Sequence, residues 1–176
     1  MRALVVYESM FGNAKHVADA IAAGLSDAHC LVEVDEVGHA PTHIEPTVDL
    51  LVVGGPTHTF GLSRPTTRAS AASEAADGVV SQGNGVREWL EALDAPDGGT
   101  CVAAFATRAA RPRLLTRIGS TSGAIERRLR RRGYAPLAPH ESFFVGDKQG
   151  PLVDGEEARA RAWGRDLGER LHELRG

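Results

Sequence analysis

Three short stretches carry the residues that could do chemistry. The first is Glu8-Ser9-Met10-Phe11-Gly12-Asn13-Ala14-Lys15, which joins the β-rich run Ala3–Tyr7 to a segment where Val17, Ile21 and Leu25 recur at helical spacing. A tight turn there, with Ser9, Gly12 and Asn13 in it, aims the open N–H groups of a helix start at the carboxyl end of a strand. Orphan amides and the helix dipole both favour negative charge, so the natural guest is a phosphate. The second is Gly54-Gly55-Pro56-Thr57-His58-Thr59-Phe60-Gly61. Its glycines and proline fix a tight path, its small polar residues suit hydrogen bonds to a heterocycle edge, and His58 or Phe60 can lie flat on a planar ring. The third, Thr107 to Arg117, carries Arg108, Arg111 and Arg113, whose guanidinium forks suit a phosphate or carboxylate.

The elements that must position these stretches alternate. Strands are expected at Ala3–Tyr7, Cys30–Val37, Asp49–Gly55, Thr100–Ala106 and Ser142–Val145. The third is apolar throughout, as a central strand covered on both faces should be. Helices are expected from about Asn13 to Leu25, Asn84 to Leu93, Ser120 to Arg132 (stopped by Gly133) and Glu156 to Leu174, the last with Trp163, Leu167, Leu171 and Leu174 as its buried stripe. Residues 62–83, rich in Ala, Ser and Thr, are longer than an ordinary loop and have room for a short helix through Arg68–Ala76. Five strands alternating with helices predict a three-layer α/β/α sandwich around a five-stranded parallel sheet, as a single domain over 1–176. In such a sheet ligands gather at the carboxyl ends of the strands, where all three stretches lie.

Composition excludes several classes. The 176 residues carry a net charge of −3, giving no global basic signal for nucleic acid. No apolar run approaches the ~20 residues of a membrane span, and the chain enters a strand directly, so the expected location is cytoplasmic. The two cysteines, Cys30 and Cys101, read as reduced core residues. His39 and His43 are separated by Pro41, and His16 and His140 add no metal spacing. The first loop holds no nucleophilic cysteine, no Walker pattern and no Gly-x-Gly-x-x-Gly, and Glu8 stands nearly alone as an acid at the strand ends.

The pairing of Tyr7-Glu8-Ser9-Met10-Phe11-Gly12-Asn13 with Val52-Val53-Gly54-Gly55-Pro56-Thr57 resembles the flavodoxin family, and the likeness runs through Gly150-Pro151-Leu152 and the terminal helix. The resemblance implies strand order 2-1-3-4-5 and non-covalent FMN. In it Ser9, Met10, Phe11, Gly12, Asn13 and Ala14 form the phosphate loop. Pro56, Thr57, His58, Thr59, Phe60 and Gly61, with Thr107 and Arg108, flank the isoalloxazine. The family's phosphate loops usually carry hydroxyls where this chain has Phe11 and Ala14. A tyrosine often stacks from the third loop, and Tyr134 falls too late to replace it. Lys15 reads either as a charge near the phosphate or as a solvent-facing lysine.

The implied function is electron transfer or simple flavin-dependent reduction, with a redox partner protein or a small electron acceptor. Nothing in the chain requires a catalytic acid or base. Two alternatives stay open: a binding module of the same fold that has lost FMN, and an NAD(P)H-dependent reductase of quinones or similar acceptors. Arg108, Arg111, Arg113, Arg117, Arg127, Arg128, Arg130, Arg131 and Arg132 face only Glu126 in sequence. Electron carriers of the family generally present acidic faces. Here Arg127 to Arg132 ride a helix whose outer face must be polar. Arg108, Arg111 and Arg113 instead lie in a loop at the ligand edge and point to an acidic partner, to the 2′-phosphate of NADPH or to simple solvation.

Overall fold

The computed structural model describes residues 1–58, 61–75, 78–110, 120–147 and 149–176. Apolar runs become β1 (Arg2–Tyr7), β3 (Leu50–Pro56) and β4 (Cys101–Ala109), and an alternating one becomes β2 (Leu31–Glu36), joined in parallel in the order β2-β1-β3-β4. Val5, Val6 and Leu50 through Val53 are wholly buried, as the central strands of a sheet covered on both faces require. Strand β2, at the edge, is only partly covered.

The side-chain period of two sorts these strands into two cores. Ala3, Val5, Tyr7, Leu50, Val52, Ala103 and Phe105 face one way, onto Val17, Ile21 and Leu25 of α1 (Asn13–Asp27) and Leu167 and Leu171 of α5 (Glu156–Arg175). Leu4, Val6, Leu51, Val53, Val102 and Ala104 face the other way. They meet Val86, Trp89 and Leu90 of α3 (Val86–Ala92) and Ile125 and Leu129 of α4 (Thr121–Arg131). The result is the expected α/β/α sandwich. Helix α4 starts on the Ser120 hydroxyl, which accepts the Gly123 N–H at 3.1 Å, and stops at Gly133 (φ +99°), as the sequence suggests. On α5, Leu174 departs from the expected stripe and is exposed. The last turn reaches the body of the protein through Arg175, which donates to the Gly99 carbonyl at 2.5 Å.

The 62–83 region does hold a helix, α2, but over Pro65–Glu74 rather than Arg68–Ala76. Pro65 takes the first turn, where its missing N–H costs nothing. The fifth strand position is filled in two pieces, β5 (Ala135–Pro136) and β6 (Glu141–Val145), both pairing with β4. The ladder runs past Pro136, the Leu137 N–H donating to the Val102 carbonyl at 2.8 Å. Pro139, which supplies no N–H, falls between the two pieces at an edge where this is tolerated.

Strands β1, β3, β4 and β6 all end on one side of the sheet, where the loops identified from sequence converge. Helix α4 runs back from that side. Arg132, just past its end, therefore donates to the Leu93 carbonyl (2.5 Å) and to the Glu91 carbonyl near the end of α3, and Arg130 pairs with Glu126 at 3.0 Å. The arginines at the end of α4 thus lie away from the candidate site, on the helix the sequence assigns them to. Arg111, Arg113 and Arg117 lie outside the described residues.

Helices α1 and α5 cross in close contact because glycine lets their backbones touch. A Cβ on Gly164 would run into the Ile21 carbonyl. Helix propensity alone makes Gly→Ala stabilising by about 1 kcal/mol. Here a backbone clash opposes it, and Gly164→Ala is expected to lose about 1–3 kcal/mol in urea denaturation. A gain in stability would contradict this packing.

Candidate functional site

The Ser9–Ala14 loop is built from both of its ends. At the entry, Ser9 is buried; its N–H donates to Ser81 Oγ at 2.9 Å and its carbonyl accepts the Ser81 N–H at 2.8 Å. Met10 turns its side chain into the interior, while its carbonyl accepts the Val80 N–H at 3.0 Å. At the exit, Gly12 is the N-cap of α1 with φ 89° and ψ −21°, a left-handed conformation glycine adopts freely, and no atom lies within 4 Å of where its Cβ would be. The Asn13 side-chain Nδ2 donates to the Gln149 carbonyl at 2.9 Å and so ties the 149–151 segment to the loop. Ala14 is buried and Phe11 half-buried. Ser9 Oγ accepts the Lys15 N–H at 3.4 Å. Among the described residues, the amides of Phe11, Gly12, Asn13 and Ala14 have no acceptor. Lys15 itself pairs with Asp19 at 2.7 Å along the helix, which favours its solvent-facing reading.

The second and third loops adjoin across β3 and β4. Pro56 stands opposite Thr107 in the sheet, and the Thr57 N–H donates to the Thr107 carbonyl at 2.8 Å. His58 and Gly61 exchange two backbone hydrogen bonds (2.9 and 2.8 Å), bringing the ends of that loop together. Thr59 and Phe60 lie outside the described residues. The Arg108 guanidinium sits 5.0 Å from the Phe144 ring centroid, a cation–π arrangement. Thr57 Oγ1 and Arg108 Nε are both buried and have no hydrogen-bond partner among the described residues. Buried polar atoms are normally paired, so these two are donors in want of an acceptor.

Several sequence candidates resolve into structure. Tyr134 is buried in the α3/α4 core, its hydroxyl on the Asp94 carbonyl at 3.2 Å, and cannot stack at the site. Cys30 and Cys101 are free, buried thiols. Among the described residues no cluster of three metal-ligating side chains forms, and no helix is long and apolar enough to cross a membrane. A groove of about 260 Å³ beside α3 and another of about 550 Å³ between α1 and α5 are lined by other residues than those of the three loops.

Beneath the loops lies a buried charge network that sequence reading missed. Glu8 is 1% exposed; its Oε2 accepts the Val86 N–H at 2.8 Å, and its Oε1 has no partner. Arg68, 9% exposed, reaches Ser63 Oγ at 2.9 Å and Glu88 at 3.1 Å. Arg87 donates to the Leu62 and Ser63 carbonyls, both at 2.9 Å, and so fixes the chain just after the second loop. Gly85 has no Cβ because one would lie 2.5 Å from Ser63 Oγ and 2.6 Å from Glu8 Oε2. The available signal was an acid at the end of an apolar strand.

Burial pushes the Glu8 carboxyl above the ordinary range, against the Ser63 hydroxyl, the Val86 N–H and the Arg68 charge, which favour ionisation. A carboxyl whose pKa is raised by folding contributes stability at low pH that is lost as pH rises through the folded value. Glu8→Gln keeps the shape and cannot ionise. The wild type should therefore lose thermal stability relative to Glu8→Gln as pH climbs from the usual carboxylate range towards neutrality. A gap between the two melting temperatures that stays constant with pH would contradict this.

Comparison with known proteins places the architecture. No protein-family model and no curated protein matches the sequence. Solved structures do. An archaeal flavodoxin matches with a TM-score of 0.64 at 19% identity, over 98% of this chain and 99% of its own. Oxidised flavodoxin 1 from Bacillus cereus matches with a TM-score of 0.66 at 17% identity, over 96% and 98%. The flavodiiron core Flv1 from Synechocystis matches with a TM-score of 0.61 at 16% identity; this chain is covered over 99%, but it spans only 36% of that larger one. With the sheet order β2-β1-β3-β4-β5 and helices on both faces, the chain has the flavodoxin-like fold.

Proposed function

We propose that the protein binds FMN without covalent attachment and serves in electron transfer to a redox partner protein or a small acceptor. The observation that carries this reading is a pair of unmet needs on one sheet edge. Four main-chain amides, from Phe11 to Ala14, lack acceptors at the start of α1. Two buried donors, Thr57 Oγ1 and Arg108 Nε, lack them at the ends of β3 and β4. FMN carries a phosphate for the first set and a polar-edged planar ring for the second. The residues present thus fit the group, and flavodoxins share the fold.

In this reading Met10 and Ala14 act through their main chains only, since their side chains are buried. The Ser9 hydroxyl, its lone pair engaged by Lys15, keeps its proton for the phosphate. Pro56, Thr57, His58 and Gly61 border the ring on one side, and Thr107 and Arg108 on the other. Bound FMN supplies the redox chemistry, while the chain binds, orients and tunes it through hydrogen bonds and charge. The retained donors favour this over a module that has lost its flavin. An NADPH-reducing role lacks a specific supporting observation, because Arg108 rests on Phe144.

The test is the visible spectrum of the purified protein and of its apo form titrated with FMN. Flavin bands shifted from those of free FMN, saturating at one equivalent, are expected. Thr57→Val and Arg108→Met should weaken FMN and riboflavin alike, because both carry the ring. Each lost hydrogen bond is worth about 0.5–1.5 kcal/mol. A protein that arrives colourless and leaves the FMN spectrum unchanged would overturn the reading.

A further inference from the structure

We infer that Ser81 is a positioning residue for phosphate recognition, standing in for the hydroxyls absent at Phe11 and Ala14. This rests on the FMN reading above. Ser81 belongs to no motif and lies 72 residues from Ser9, in the Ala-, Ser- and Thr-rich stretch that reads from sequence as longer than an ordinary loop. It is nevertheless 2% exposed, and Ser9 is 1% exposed. Three hydrogen bonds join the two segments: Ser9 N–H to Ser81 Oγ (2.9 Å), Ser81 N–H to the Ser9 carbonyl (2.8 Å) and Val80 N–H to the Met10 carbonyl (3.0 Å). Water does not compete for bonds this deeply buried, so they fix the peptide planes where the loop leaves β1.

The consequence is preorganisation. A loop with hydroxyls at positions 11 and 14 gains its affinity from those side-chain donors. This loop has main-chain donors, whose value depends on holding several amides on one point before the anion arrives. The exit is set by Gly12 and by Asn13 on Gln149. The entry is set by Ser81, the side-chain partner of the Ser9 amide. Removing its oxygen leaves a buried N–H unpaired and frees the peptide to turn towards another acceptor. The phosphate, not the ring, registers that loss.

Ser81→Ala, Ser81→Cys and Ser81→Thr, each as apo protein, are titrated with FMN and with riboflavin, with melting temperature recorded alongside. Relative to wild type, Ser81→Ala should bind FMN about tenfold more weakly (about 1.4 kcal/mol) while riboflavin affinity stays unchanged. Ser81→Cys, a near-isosteric but poorer acceptor, should lie between, and Ser81→Thr should keep the wild-type ratio. The ordering by acceptor strength holds even if one variant fails to fold. A purely structural role would lower the melting temperature and leave the FMN-to-riboflavin ratio untouched; that ratio, unchanged across the series, overturns the inference while leaving FMN binding intact. Wild-type protein that takes up neither flavin overturns both.

Discussion

The first turn of a helix has N–H groups that its own backbone cannot satisfy, and in this protein that constraint falls where the sheet delivers its loops. Helix α1 has no side-chain cap on its N-cap residue and no acid in its first turn; the Ser9 hydroxyl meets a single amide, that of Lys15. A helix needing only to fold would be given a capping serine, threonine or aspartate. Here Gly12 holds the cap open, and the proposed FMN phosphate would complete it. The order of the strands then dictates the rest: with β1 between β2 and β3, the loops after β1, β3 and β4 share one edge, and the orphan donors of Thr57 and Arg108 fall beside that helix start.

Directly under this edge the structure tolerates an expensive arrangement. A carboxylate and a guanidinium are both taken out of water, and such pairs rarely add net stability. Glu8 shares its position in the chain with the loop it precedes, and its oxygen receives the amide that begins α3. Arg68 and Arg87 fasten residues 62–63 to the same helix. The network joins β1, α2, α3 and the end of the second loop.

Much of the architecture was legible because it follows from periodicity. The unbroken apolar run of β3, the 3–4 spacing on α1 and the glycine at 133 each state their element locally. Helix α2 was read out of register because its Ala/Ser-rich sequence has hardly any apolar stripe, and β5 escaped because two residues carry no period. The three site loops were visible as motifs. Their fastenings were not: Ser81 on Ser9, Gln149 on Asn13 and Arg87 on Leu62 join residues 72, 136 and 25 positions apart, and nothing local marks them. The arginine run divides where the sequence suggests: Arg127 to Arg131 ride α4 away from the site, and Arg108 stands at the edge of the sheet.

FMN binding of the kind proposed requires that the Phe11–Ala14 amides receive its phosphate. The most direct measurement follows the backbone amides of isotope-labelled apo protein by two-dimensional NMR as FMN and then riboflavin are added. The account predicts that FMN moves the Phe11, Gly12, Asn13 and Ala14 resonances downfield, as new hydrogen bonds to an anion do, and that riboflavin leaves those four in place while moving Thr57, Thr107 and Arg108. FMN that binds without shifting the four loop amides would contradict it.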